Sequence, residues 1–152
     1  MHYTNTESYW KKFATAHNLT SSAYSAWSFG YNEKEADELA ALVAKGKKTA
    51  TTSAYELYNK GEELPQVGEY NIILNGHGEP CCITQTKVVE IIKFDLVSQE
   101  HAYHEGEGDR SLQYWREAHV DFFKREYATA GKLFTEKIPC VCEVFEVVDI
   151  PE

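Results

Sequence analysis

Past Gly68 the hydrophobic period of this chain changes from that of a helix to 2, and this change constrains the fold more than any other feature. Tyr70, Ile72 and Leu74 recur at every second position, the spacing of a half-buried strand. Asn75-Gly76-His77-Gly78 follows, and Asn-Gly supplies the backbone angles that a tight hairpin needs. Residues 81–86 return as a second strand, and the β-rich run 87–94 continues it or adds a third. A last strand is predicted over 140–148.

Helical spacing flanks these strands. Asn5 or Thr6 can cap a first helix through about Asn18, with Tyr9, Trp10 and Phe13 on its inner side. Asn32 with Glu35 resembles a capping box and opens a second helix that ends at Gly46. A further helix is predicted over 54–60, and Asp95 can start a short one reaching His101 to Tyr103. Leu112, Trp115, His119, Phe122 and Phe123 fall on one face of a long helix capped by Asp109 or Ser111, so Trp115 and Phe122 are expected in the core. The stretch 21–30 reads as an ordered, aromatic loop. Helices and hairpins without regular βαβ alternation define an α+β class, and the preferred architecture is a small, partly closed β-barrel with flanking helices. The length suits one domain, with residues 1–22 as an N-terminal helix belonging to it and 23–152 as its body.

The formal net charge of −9 argues against sequence-independent binding to duplex DNA, which requires lysines and arginines to displace counterions. No apolar run reaches the ~18 residues of a membrane span. The first residues lack the basic-then-apolar order of a signal peptide, so a cytoplasmic location is expected. The four cysteines fall as Cys81-Cys82 and Cys140-x-Cys142. Adjacent strand residues point to opposite faces, so the spacing argues against a metal site, and buried, reduced thiols in a reducing compartment are expected, with no cofactor.

Two polar stretches stand out. The first is Gly46-Lys47-Lys48-Thr49-Ala50-Thr51-Thr52-Ser53, two lysines followed by a run of hydroxyls. It is not a phosphate-binding P-loop, because a helix rather than a strand precedes it and Ala41 stands where the partner glycine is needed. The second is Glu105-Gly106-Glu107-Gly108-Asp109-Arg110, a carboxylate-rich loop at the start of the long helix. Its glycines free the backbone to turn and to approach a ligand closely. Each stretch adjoins a helix end and apolar segments, so both are expected to border one concave pocket.

The blocks Trp27-Ser28-Phe29-Gly30, Val43 to Thr51, Leu64 to Gly68, Phe94-Asp95, Glu105 to Leu112 and Tyr114 to His119 resemble those of ASCH domain proteins, a branch of the PUA-like superfamily of small β-barrels. The resemblance implies a barrel with a cleft that binds RNA or a nucleotide-like ligand. Of the family signature Gly-x-Lys-x-x-Glu-x-Arg, Gly46 and Lys48 are present, Thr51 replaces the glutamate and Ser53 replaces the arginine. One branch that also carries threonine there resembles an amidohydrolase acting on acylated cytidine. Carried over residue by residue, its trio is Lys48, Thr51 and Glu105, the last following His101-Ala102. Ribonuclease activity is a further association of the family, with Lys48 and Glu105 as an acid–base pair.

Three readings therefore stand together. The cleft binds RNA or a nucleoside-like molecule, with Lys48, Lys47, Ser53 and Arg110 as polar contacts and Trp27 or Tyr114 for stacking. Alternatively it hydrolyses a small substrate: Thr51 attacks, Lys48 takes its proton if burial lowers the lysine's pKa, and Glu105 relays a proton. Lastly, Glu105, Arg110 and Lys48 form a buried ionic network that only holds the loop.

Overall fold

The computed structural model describes residues 5–20 and 23–151. In chain order the elements are α1 (Thr6–Ala16), β1 (Ser25–Ser28), α2 (Glu33–Ala44), β2 (Ala50–Ala54), β3 (Tyr70–Leu74), β4 (Pro80–Lys93), α3 (Gln99–Glu105), α4 (Leu112–Thr129) and β5 (Pro139–Asp149). The strands form a five-stranded sheet in the order β1-β3-β4-β5-β2. Among the described residues only the β1–β3 pairing is parallel. The sheet curls into a half-barrel. Part of the curl has a local cause. β4 shifts register against β5 at Ile83/Thr84 and at Thr86/Val88, and irregularities of this kind bend and twist a long strand.

Each helix seals a different part of the sheet. The Asn5 side chain caps α1, whose Tyr9, Trp10 and Phe13 pack against Ile72 and Ile83. Asn32 caps α2, whose Ala40 and Val43 meet Phe29, Ile73, Cys82 and Phe145. Ser111 caps α4, whose Trp115, Phe123 and Tyr127 cover Phe94, Cys140 and Cys142. Among the described residues no helix is long and apolar enough to cross a membrane.

Several local expectations change. Residues 25–28 form strand β1, because parallel pairing to β3 supplies backbone partners that a serine-rich loop would lack. The helix expected over 54–60 is a single 3-10 turn, Tyr55–Leu57; the hydroxyl run before it is drawn into β2 by pairing with β5. The segment 87–94 mostly continues β4 rather than adding a strand. Asp95 lies in the 3-10 turn Phe94–Leu96, and Ser98 caps α3. Phe122 is only partly buried, because the inner face of α4 runs through Trp115, Phe123 and Tyr127.

Candidate functional site

The chain enters the site at the end of α2. Gly46 takes a left-handed conformation (φ 77°), and the Lys47 and Lys48 amides both return to the Leu42 carbonyl, turning the chain toward β2. The Thr49 amide then donates to the His104 carbonyl (2.7 Å), which ties this turn to α3. Along β2 the side chains alternate. Ala50, Thr52 and Ala54 are buried, while Thr51 and Ser53 are half-buried on the other face.

The centre of the site is the buried carboxylate of Glu105 at the end of α3. Its Oε1 accepts from Lys48 Nζ at 3.1 Å. Its Oε2 accepts from the Thr52 hydroxyl at 2.6 Å and from the Trp115 indole N–H at 2.5 Å. His101 Nε2 lies 3.6 Å and His119 Nε2 3.5 Å from the same oxygen. Because the Thr52 proton goes to Glu105, the 2.8 Å contact between His101 Nε2 and Thr52 Oγ1 requires His101 to donate. Lys48 Nζ also reaches Glu107 Oε2 at 2.9 Å.

Protonation states follow from this arrangement. Burial pushes the Glu105 carboxyl up, but Lys48, His119 and His101 outweigh it and hold the group well below the usual carboxylate range. Burial likewise pulls Lys48 down, and Glu105 and Glu107 together reverse that, so its pKa is raised. The expectation that burial would make Lys48 a neutral base is therefore corrected. The two carboxylates hold it as an ammonium ion.

Backbone contacts weld the loop 105–110 to the turn 46–48. Gly106 has φ 74°, and a Cβ there would collide with the Lys47 carbonyl. Arg110 takes φ 66°, donates from Nε to the Tyr103 carbonyl (3.0 Å) and stacks 3.7 Å from the Tyr103 ring centroid. It clasps the loop from outside. Gly106→Ala is expected to cost at least ~1–2 kcal/mol from the left-handed conformation alone, with the Lys47 clash added. Thermal melts of the variant and the parent check this, and an unchanged midpoint would mean the loop is not held as described.

Above this network opens a cleft of about 380 Å³. Lys48, Thr51, Glu105 and Tyr114 border it, as do Glu107 and His119. Phe29, Tyr114 and Phe122 supply aromatic surface. The Thr51 hydroxyl has no hydrogen-bond partner among the described residues. The structure places four of the expected contacts elsewhere. Trp27 donates to Asn71 Oδ1 (2.9 Å) and packs on Phe29 beneath the site. Ser53 pairs with the Tyr58 hydroxyl (2.8 Å). Lys47 contributes its carbonyl to the loop clasp, and Arg110 is the clasp. The ionic network thus contains Lys48 and Glu105 but not Arg110.

Sequence reasoning missed Thr52, His101 and His119 as polar partners of Glu105, and assigned Trp115 to packing alone. A signal existed in the helical spacing. His101 precedes Glu105 by four residues, and His119 follows Trp115 by four, which stacks each pair on one helix face.

A curled half-barrel flanked by helices defines a PUA-like α+β protein. The chain belongs to the ASCH domain family, whose model matches residues 25–149. It is similar to protein EF3133 from Enterococcus faecalis V583, with 39% identity and a TM-score of 0.88 over 97% of this chain and 94% of that one. It is also similar to an ASCH domain from Lactobacillus crispatus JV V101, with 37% identity and a TM-score of 0.85 over 94% of this chain and 91% of that one. The hypothetical protein PH0355 shares the fold alone, at 15% identity and a TM-score of 0.52 over 83% of this chain and 100% of that one. No curated protein matches the chain.

Proposed function

We propose that the cleft binds an uncharged, nucleoside-like small molecule. The observation that carries this reading is the charge of the lining. Glu35, Glu38, Glu105, Glu107 and Asp121 face Lys48 and Arg125. Both cations are already paired, Lys48 with Glu105 and Glu107, and Arg125 with Asp121 at 3.1 Å. Even with a protonated His119 counted beside Lys48 and Arg125, the five carboxylates outnumber the three cations of the lining, so a phosphate-bearing strand entering here meets net repulsion and the acidic lining favours the nucleoside end of the family's ligand range over RNA. The aromatic surface suits a base, the carboxylates suit its exocyclic amine, and the volume falls within the ~300–1,000 Å³ common for small-molecule sites.

A second reading, amide hydrolysis, is favoured by the unengaged Thr51 hydroxyl beside Lys48. In that reaction the Thr51 oxygen adds to the acyl carbon, the amine departs with the proton that Thr51 gives up, and water then cleaves the acyl-Thr51 ester, releasing the carboxylic acid and restoring the hydroxyl. Lys48, held as an ammonium, steadies the oxyanion rather than taking the proton.

The test is calorimetry and turnover with cytidine, an N4-acylated cytidine, cytidine 5′-monophosphate and short RNA. Nucleosides are expected to bind, and the monophosphate to bind about tenfold more weakly, equivalent to ~1.4 kcal/mol. Tighter binding of RNA or of the monophosphate would overturn the reading. If the site is catalytic, Thr51→Ala abolishes turnover and leaves affinity nearly intact. Equal turnover by the parent and Thr51→Ala would remove the hydrolase reading.

A further inference from the structure

His119 is a partly buried histidine, its side chain 14% exposed, that no carried-over family role uses. It sits on α4, one turn beyond Trp115, with its ring stacked on the indole at a centroid distance of 4.2 Å. Its Nδ1 lies 2.8 Å from the Trp115 carbonyl oxygen. A carbonyl only accepts, so Nδ1 carries a proton. The other nitrogen, Nε2, points at Glu105 Oε2 across 3.5 Å. A neutral ring in this pose would aim its Nε2 lone pair at a carboxylate oxygen, and a protonated ring makes an ion pair there. The same ring borders the cleft.

We propose that His119 is a ligand-contacting residue of the cleft, holding a proton on Nε2 at neutral pH and presenting it to an acceptor atom, such as a pyrimidine carbonyl, of the bound molecule. This deepens the nucleoside reading of the same cleft and rests on it for the ligand. At 3.5 Å the Nε2–Glu105 contact is long for a hydrogen bond, so Glu105 holds the N–H only in part and leaves it able to reach a ligand acceptor as well.

The charges around the ring balance when it is protonated. Glu105 from α3 and Glu107 from the following loop face Lys48 and His119, two negative groups against two positive ones. His101 on α3 shares the Glu105 oxygen. Asp121 and Arg125 on α4 pair with each other, and Glu35 and Glu38 on α2 border the same cleft. Burial alone would strip the proton, but Glu105 leads the groups that reverse this, leaving the His119 pKa raised. A group raised in this way keeps its proton below its folded pKa and loses it as pH rises through that value, so ligand affinity is full at low pH and falls on the alkaline side.

Two readouts test this. In the ligand-free parent, the imidazole Cε1–H resonance assigned by comparison with His119→Gln is expected to titrate above the ordinary histidine range. A His119 that is neutral at pH 7 would overturn the proposal without any ligand. In calorimetry with cytidine across pH ~6 to ~9, the parent Kd is expected to rise through the same midpoint by up to about tenfold per pH unit. His119→Gln, with folding checked by its melt, is expected to bind more weakly at pH 6 and with no slope. A pH-independent parent affinity, or a variant that keeps the parent slope, overturns the proposal. If the parent does not bind cytidine at any pH, the nucleoside reading itself fails, and the donor role fails with it.

Discussion

Glu105→Ala is expected to destabilise the fold by about 3–5 kcal/mol, the cost of leaving a buried charge without its partner. Lys48 is 1% exposed and touches Glu105 at 3.1 Å, so removing the carboxylate strands an ammonium ion inside the protein. Glu107 compensates only in part, because its side chain is 29% exposed and its charge is shared with water. The loss also removes the acceptor for the Thr52 hydroxyl and the Trp115 indole. Urea unfolding measures it, and a change below ~1 kcal/mol would mean that Lys48 and Glu105 are not the buried pair described. Adding Lys48→Met to Glu105→Ala is expected to recover part of the loss, since an apolar side chain avoids the desolvation cost that the lone ammonium bears. The acid limb provides a separate check. The Glu105 pKa is depressed on folding, so its contribution is complete above the unfolded carboxyl value of about 4.3 and is lost as pH falls through the folded value. Glu105→Gln should therefore unfold with a flatter dependence on pH in that range than the parent.

What could be read from the chain alone depended on whether local chemistry or distant pairing decided each element. α2 and α4 were legible because Asn32 and Ser111 cap them and an apolar stripe follows at helical spacing. The β3–β4 hairpin was legible from Asn75 to Gly78, although Gly78 rather than Gly76 takes the positive φ and Asn75 acts through its side chain, which accepts from the His77 and Glu79 amides. β1 was not, since Ser25–Ser28 has no pattern of its own and is a strand only because β3 lies beside it. The hydroxyl run at 51–53 was ambiguous for the same reason. Alternation separates Thr51 from Thr52, but only pairing with Glu143 and Cys142 on β5 decides which one faces Glu105. The family resemblance brought Lys48 and Glu105 together across 57 positions of sequence, which no local rule supplies. Arg110 misled because a charged residue in an acidic loop reads as a ligand contact. Its positive φ and its clasp on Tyr103 are visible only in three dimensions.

Trp115 joins the packed core to the polar site, and two substitutions separate its roles. The residue is 2% exposed, with its ring against Phe94 at 5.3 Å and His119 at 4.2 Å. Trp115→Ala is expected to cost about 3–5 kcal/mol for the lost contacts and the cavity left between α4 and the sheet. Trp115→Phe keeps most of the ring packing but removes the N–H that donates to Glu105, a hydrogen bond to a charged acceptor worth ~1.5–3 kcal/mol. The two losses share the Glu105 carboxylate, so Trp115→Phe combined with Glu105→Ala is expected to cost less than the sum of the single changes. That shortfall measures the coupling between core and site. Urea unfolding of the single and double variants gives the cycle directly. Additive losses would show that the indole N–H and the carboxylate do not act on each other. A Trp115→Phe protein as stable as the parent would assign Trp115 to packing alone.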